Sequence, residues 1–130
     1  MAYVYRFIDT NGNISYVGYT GQRLCDRMNQ HFTKGHLPKD CYSNVARIEY
    51  TEWKTKSDAQ VMEVFYINRY KPRYNRQDKQ NDTLTIRLEE KNWKTYKVLK
   101  TAKNTNNKVG WFNWILIALL LYYLIQYLMG

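Results

Sequence analysis

A chain of 130 residues, 45% hydrophobic and 24% charged, has room for one small domain with an appendage and not for two full domains. Its 20 Lys and Arg against 11 Asp and Glu leave a net charge of +9. That charge suits a polyanionic partner, either nucleic acid or an anionic membrane surface. The two cysteines, Cys25 and Cys41, have no CxxC spacing and follow no signal peptide, so they read as reduced cytosolic thiols rather than a disulfide framework. Cys25, His31, His36 and Cys41 share one short span, but their spacing fits no common zinc finger.

In chain order, Tyr3, Tyr5 and Phe7 alternate with Val4, Arg6 and Ile8, the period of a strand rich in aromatic and β-branched residues. Asp9-Thr10-Asn11-Gly12-Asn13 is turn chemistry, since glycine tolerates positive φ and Asn and Asp bond their own backbone. Ile14 to Val17 return as a second strand, and pairing about the turn lets Tyr5 and Tyr16 project from one end of the sheet. Gly18 closes that strand and Thr20 is placed to cap a helix, in which Leu24, Met28 and Phe32 recur at i, i+4 as the buried stripe. Arg23, Arg27 and His31 form a second i, i+4 row beside it. Donors on one helical row facing a tyrosine-lined sheet end make a site for an oxyanion or a phosphate.

Lys34 to Asp40, interrupted by Gly35 and Pro38, reads as a basic loop that either lines a DNA groove or lies in solvent. Val45 to Trp53 predicts a third strand. Ser57, followed by Asp58, Ala59 and Gln60, is a capping-box pattern, so a helix is expected to start there and run through Glu63 to about Arg69, with Glu63 at the edge of its buried face. Pro72 ends it. Thr83 to Leu88 alternates again and predicts a further strand, while Trp93 and Tyr96 are expected to seal the edge of a domain ending near Lys97.

From Lys91 to Lys108 there are six lysines and no acid, and then Val109 to Met129 run for 21 positions without a charge. At about 1.5 Å per residue that is roughly 32 Å, enough to cross a bilayer core of about 30 Å. Trp111, Phe112 and Trp114 at one end, with Tyr122, Tyr123 and Tyr127 toward the other, match interfacial aromatic belts. The segment reads as a single transmembrane helix, the alternative being a helix buried in a partner protein. Only Gly130 follows it, so a tail anchor is expected and not a cleaved leader. The lysine-rich flank puts the N-terminal domain in the cytoplasm at the inner membrane face, where the linker can also touch anionic lipid.

Tyr3-Val4-Tyr5, ten intervening residues, Tyr16-Val17-Gly18, then Arg27, His31, Glu63 and Lys71-Pro72-Arg73-Tyr74-Asn75, in that order, resemble the GIY-YIG nuclease family. The resemblance implies an α+β fold in which helices flank a small central antiparallel sheet, here residues 1–97. A basic linker, 98–108, and the helix 109–129 would follow. It implies divalent-metal-dependent hydrolysis of DNA phosphodiester bonds, with Tyr5 as general base and Tyr16 and Arg27 helping its phenolate form. Arg27 would also contact the phosphate, His31 would orient the water or the phosphate, and Glu63 would hold one Mg²⁺ or Mn²⁺ ion. Asn75 would position the glutamate or nearby backbone. Tyr3 stands where the naming motif has glycine, and Tyr19 where the excision-repair branch carries a lysine that assists the base.

No DNA-reading module is recognisable, so backbone contacts are expected from Arg23, Lys34, Lys39, Arg69, Lys71, Arg73 and Arg76. The expected protein is a membrane-tethered endonuclease, with DNA and the lipid bilayer as partners and a homodimer as one route to double-strand cutting. Attack on incoming phage or other foreign DNA would suit such a tether. The competing expectation is a membrane tether that binds DNA but has lost catalysis.

Overall fold

The computed structural model describes residues 1–75, 83–101 and 109–129, with side chains for all of these except 109–117. Four antiparallel strands, β1 (Ala2–Asp9), β2 (Ile14–Thr20), β3 (Val45–Trp53) and β4 (Lys94–Val98), form one sheet in the order β2-β1-β3-β4. The helices among them are α1 (Leu24–Lys34), α2 (Lys39–Asn44) and α3 (Lys56–Tyr70), and α4 (Val109–Met129) comes last. The expected α+β architecture is the observed one.

The β1–β2 turn forms as its residues require. Asp9 Oδ1 accepts from the backbone N–H groups of Asn11 and Asn13, both at 2.9 Å, and Gly12 takes φ +84°, a left-handed value that suits glycine. Strand β1 lies between β2 and β3 and is covered on both faces. On one, Tyr5 and Phe7 pack with Tyr16, Leu24, Met28, Cys41, Val45 and Ile48. On the other, Ala2 and Val4 pack with Val17 and with Ala59, Met62, Tyr66 and Ile67 of α3. The period of two in β1 therefore sorts side chains between two cores rather than between core and solvent.

Several sequence expectations are corrected. Thr83 to Leu88 form no strand; the open edge of β3 is taken instead by β4. Leu88 packs against the α3 core while Leu84 and Ile86 stay exposed. Trp93 does close the domain, its ring tilted against Tyr66 with centroids 4.8 Å apart and lying under the Arg6 guanidinium at 4.1 Å, whereas Tyr96 is exposed on β4. The helix cap falls two residues earlier than Ser57: Thr55 is the N-cap and accepts from the Asp58 N–H at 3.1 Å. The loop expected over 34–40 is shorter, because Pro38 caps the short helix α2. Phe32, in the last turn of α1, is 43% exposed, and its neighbour His31 is buried in its place.

Among the residues with described side chains, no helix is long and apolar enough to cross a membrane; that part of α4, 118–129, is short.

Candidate active site

The site lies where β1, β2 and α1 meet. Tyr5 and Tyr16 share a face of the sheet, with ring centroids 6.3 Å apart. Strand pairing sets Gly18 opposite Tyr5, and the Tyr5 ring lies so close that a Cβ on Gly18 would fall 2.6 Å from its hydroxyl oxygen and 2.7 Å from Cζ. Only a residue without a side chain lets the phenol occupy that place. The sequence reading treated Gly18 as a strand terminator and missed this role, although it is the third residue of Tyr16-Val17-Gly18.

Helix α1 brings two groups to the Tyr5 oxygen. His31 Nε2 lies 2.7 Å from it, and Arg27 Nε–H donates to it at 3.1 Å. The expected third member of the row, Arg23, is absent from this cluster. It is the N-cap of α1, with ψ 138°, so it stands outside the helical spacing, and it is exposed and ion-paired with Asp26 at 2.8 Å.

Burial sets the electrostatics. Removal from water pushes Tyr5 up to about 12, against the opposing hydrogen bond and charge of Arg27, with the Glu63 charge adding to the rise and a hydrogen bond from Tyr16 opposing it. Tyr16 is raised further, by burial first and then by the neighbouring Tyr5 and Glu63 charges. His31, 2% exposed, is held down at about 4 by burial and by the Arg27 and His36 charges, so it is a neutral imidazole at physiological pH.

The other nitrogen of His31, Nδ1, is 2.9 Å from the Tyr42 hydroxyl, which also accepts from the Leu37 N–H at 3.4 Å. A neutral imidazole between two hydroxyls can act in two ways. With its proton on Nδ1 it accepts the Tyr5 O–H; with its proton on Nε2, and Tyr42 donating to Nδ1, it donates to a Tyr5 phenolate. Tyr42 was not singled out in the sequence because residues 41–44, between the loop ending at Asp40 and the strand starting at Val45, were assigned to no element, whereas they belong to α2. The exposed His36 ring, 5.5 Å from His31 and 6.2 Å from Tyr16, also stands at this cluster.

Glu63 projects from α3 with 6% exposure, and its charge reaches both tyrosines. Among the described residues no group of three or more His, Cys, Asp or Glu is placed to hold an ion, so the Cys25, His31, His36 and Cys41 span assembles no zinc site. One buried carboxylate completed by water and phosphate oxygens is an ordinary setting for a hard divalent ion of the Mg²⁺ class, and the donor set fits that.

Asn75 acts on the backbone. Its amide donates to the Val17 carbonyl at 2.8 Å and its Oδ1 accepts the Val17 N–H at 3.0 Å, between Tyr16 and Gly18. The Tyr74 N–H bonds the Ser15 carbonyl at 3.0 Å, so 74–75 adds rungs to the edge strand β2.

The candidate DNA contacts are dispersed. Lys34 and Lys39 are exposed at the end of α1 and the start of α2, and Arg69 is ion-paired with Glu90. Lys71 caps α3 with φ +48° and Arg73 lies 5.4 Å over the Tyr74 ring. Arg76 lies outside the described residues.

A buried phenol with a guanidinium and a neutral imidazole on its oxygen, together with one buried carboxylate whose charge reaches it, is a site for water activation at a phosphate. Residues 1–75 match the GIY-YIG catalytic domain, and the chain belongs to this family of endonucleases. It is 32% identical over 109 residues to the UvrABC system protein C of Bacteroides thetaiotaomicron, covering 78% of this chain and 18% of that protein. The proteins of the same name from Methylococcus capsulatus and Hydrogenovibrio crunogenus are 39% and 40% identical over 75 residues, 55% of this chain and 12% of theirs. The chain thus spans less than a fifth of the length of these relatives.

Proposed function

We propose that this protein is a membrane-tethered, divalent-metal-dependent DNA endonuclease. The observation that carries the reading is the convergence of Arg27 Nε and His31 Nε2 on the Tyr5 oxygen, at 3.1 and 2.7 Å. A tether that only bound DNA would have no use for a buried phenol with two such partners.

Tyr5 takes the proton of the attacking water as general base. Arg27 opposes the cost of the phenolate and presents its planar fork to the non-bridging phosphate oxygens. His31, neutral and backed by Tyr42, donates from Nε2 to the phenolate form of Tyr5, which is the form that then takes the water's proton. Glu63 would hold one Mg²⁺ or Mn²⁺ ion, which when bound supplies charge neutralisation at the scissile phosphate and the departing 3′ oxygen. Asn75 holds the Val17 backbone and through it the spacing of Tyr16 and Gly18.

Domain limits of 1–97, 98–108 and 109–129 belong to the same proposal. Support for the anchor comes from the uncharged run of α4, helical over all 21 residues, and from the exposure of every described side chain within it. Placement at the cytoplasmic face, with the lysine-rich segment toward the lipid, follows the positive-inside rule. Such a position suits cleavage of incoming phage DNA. One site cuts one strand at a time, and a homodimer is one route to double-strand cutting.

The test uses the full chain in detergent micelles with supercoiled plasmid and Mg²⁺, Mn²⁺ or chelator, beside Glu63→Ala. Metal-dependent nicking that is lost in the variant is expected. Binding without cleavage in both proteins would leave only the inactive tether.

A further inference from the structure

An open groove of about 460 Å³ lies between the β2–α1 connection and the start of α3, lined by Tyr19, Thr20, Gly21, Gln22, Arg27 and Lys56. It has two cations and no acid in its lining. Arg27 belongs both to this groove and to the Tyr5 cluster, so the two are continuous. Its guanidinium is fixed at one side by Tyr5 and at another by Gln30 Oε1, at 3.4 Å from Nη1, and Gln30 in turn donates to Gln22 at 3.2 Å. Lys56 reaches the groove from the first position of α3, with its stem laid against Gly21. A Cβ there would stand 3.3 Å from Lys56 Cδ. Asp58, the nearest acid in sequence, lines a different groove with Trp53 and Lys54. Lys56 is exposed and makes no ion pair among the described residues.

From this we infer that Lys56, beside Arg27, forms a second phosphate subsite, taking the backbone phosphate next to the scissile phosphate that Arg27 contacts. An exposed ammonium beside a planar guanidinium, with no carboxylate in the lining, favours phosphodiester oxygens over a cationic or neutral ligand. Continuity with Tyr5 through Arg27 makes that phosphate a neighbour of the one being cut. The inference rests on the nuclease reading, and it adds a lysine that no motif spacing marks, since it comes from α3 and not from the tyrosine motifs.

The test measures binding of a short DNA duplex by the full chain in micelles with chelator, over about 50 to 200 mM salt, for wild type, Lys56→Ala, Lys56→Arg and Lys54→Ala. Lys56→Ala is expected to lower the slope of log affinity against log salt by about 0.9, one phosphate contact. Lys56→Arg should keep the slope, and Lys54→Ala, an equal loss of charge two residues away, should not reproduce the Lys56→Ala change. A methylphosphonate scan along one strand should find a position that weakens wild type and leaves Lys56→Ala unaffected. A Lys56→Ala slope equal to wild type, equal losses at Lys54 and Lys56, or identical scans in both proteins would overturn the subsite alone. A wild type that neither binds nor nicks duplex DNA would overturn the nuclease reading beneath it.

Discussion

A phenol with a pKa of about 12 is almost wholly protonated at neutral pH, and the side chains around Tyr5 decide how far that handicap is offset. At pH 8 about one molecule in 10⁴ holds the phenolate. The kcat/KM of the nuclease should therefore climb by about one log unit per pH unit between roughly pH 6 and 9. A flat profile over that range would remove Tyr5 from the role of base. Gly18→Ala makes a sharper prediction, because its new methyl would stand 2.6 Å from the Tyr5 oxygen that Arg27 and His31 hold. Displacing that oxygen by about 1 Å should cost on the order of 100-fold in kcat, and plasmid nicking would show it. Tyr5, Tyr16, Arg27 and His31 were legible in the sequence because motif order and one helical turn suffice to place them. Gly18 and Tyr42 were not: one acts by the absence of a side chain and the other across a fold contact from α2.

At the scale of elements, the segment Pro72 to Asn75 joins α3 to the edge of β2. Asn75→Ala removes both hydrogen bonds to Val17 and leaves an N–H and a carbonyl of an edge strand to find water. A loss of about 2 kcal/mol is expected in chemical denaturation, together with reduced cleavage, since Tyr16 and Gly18 flank the tethered residue. Unchanged stability would mean that β2 holds its place without this clamp. Periodicity placed the first three strands and the two longer helices of the domain, but β2 runs through Gly18 to Thr20 where it was expected to close at Gly18, and α1 is capped at Arg23 and not by Thr20, which accepts from the Gln22 N–H instead. It failed where two candidates compete for one sheet edge. Thr83 to Leu88 and Lys94 to Val98 both alternate, and β3 has one free side, so pairing had to decide. It also failed at Arg23, whose i, i+4 relation to Arg27 holds only if Arg23 is helical, and the chain turns there instead.

For the whole molecule, the buried His31 couples stability to pH. Its folded pKa of about 4 lies below the ordinary 6.5 through burial and the Arg27 and His36 charges. The unfolded chain therefore takes up the proton first on acidification. The contribution is fully present above pH 6.5 and is lost as pH falls from 6.5 toward 4, by up to about 3 kcal/mol. Thermal melts should show a Tm that drops over that window, with the drop reduced in His31→Gln; equal drops in both proteins would assign the effect elsewhere.

What the sequence determined by itself was set by local rules. Strand and helix periods, the Asp9 to Asn13 turn, the order of the tyrosine, arginine and glutamate motifs and the uncharged run of 109–129 need no knowledge of which parts meet. Tertiary structure decided the rest, because a site is a matter of distance. Folding of α1 onto β1 places Arg27 and His31 at one oxygen. The same packing makes His31 neutral, by taking it out of water beside a guanidinium. The gap at Gly18, the hold of Tyr42 on His31 and the groove that Lys56 shares with Arg27 exist only once the helices have packed onto the sheet.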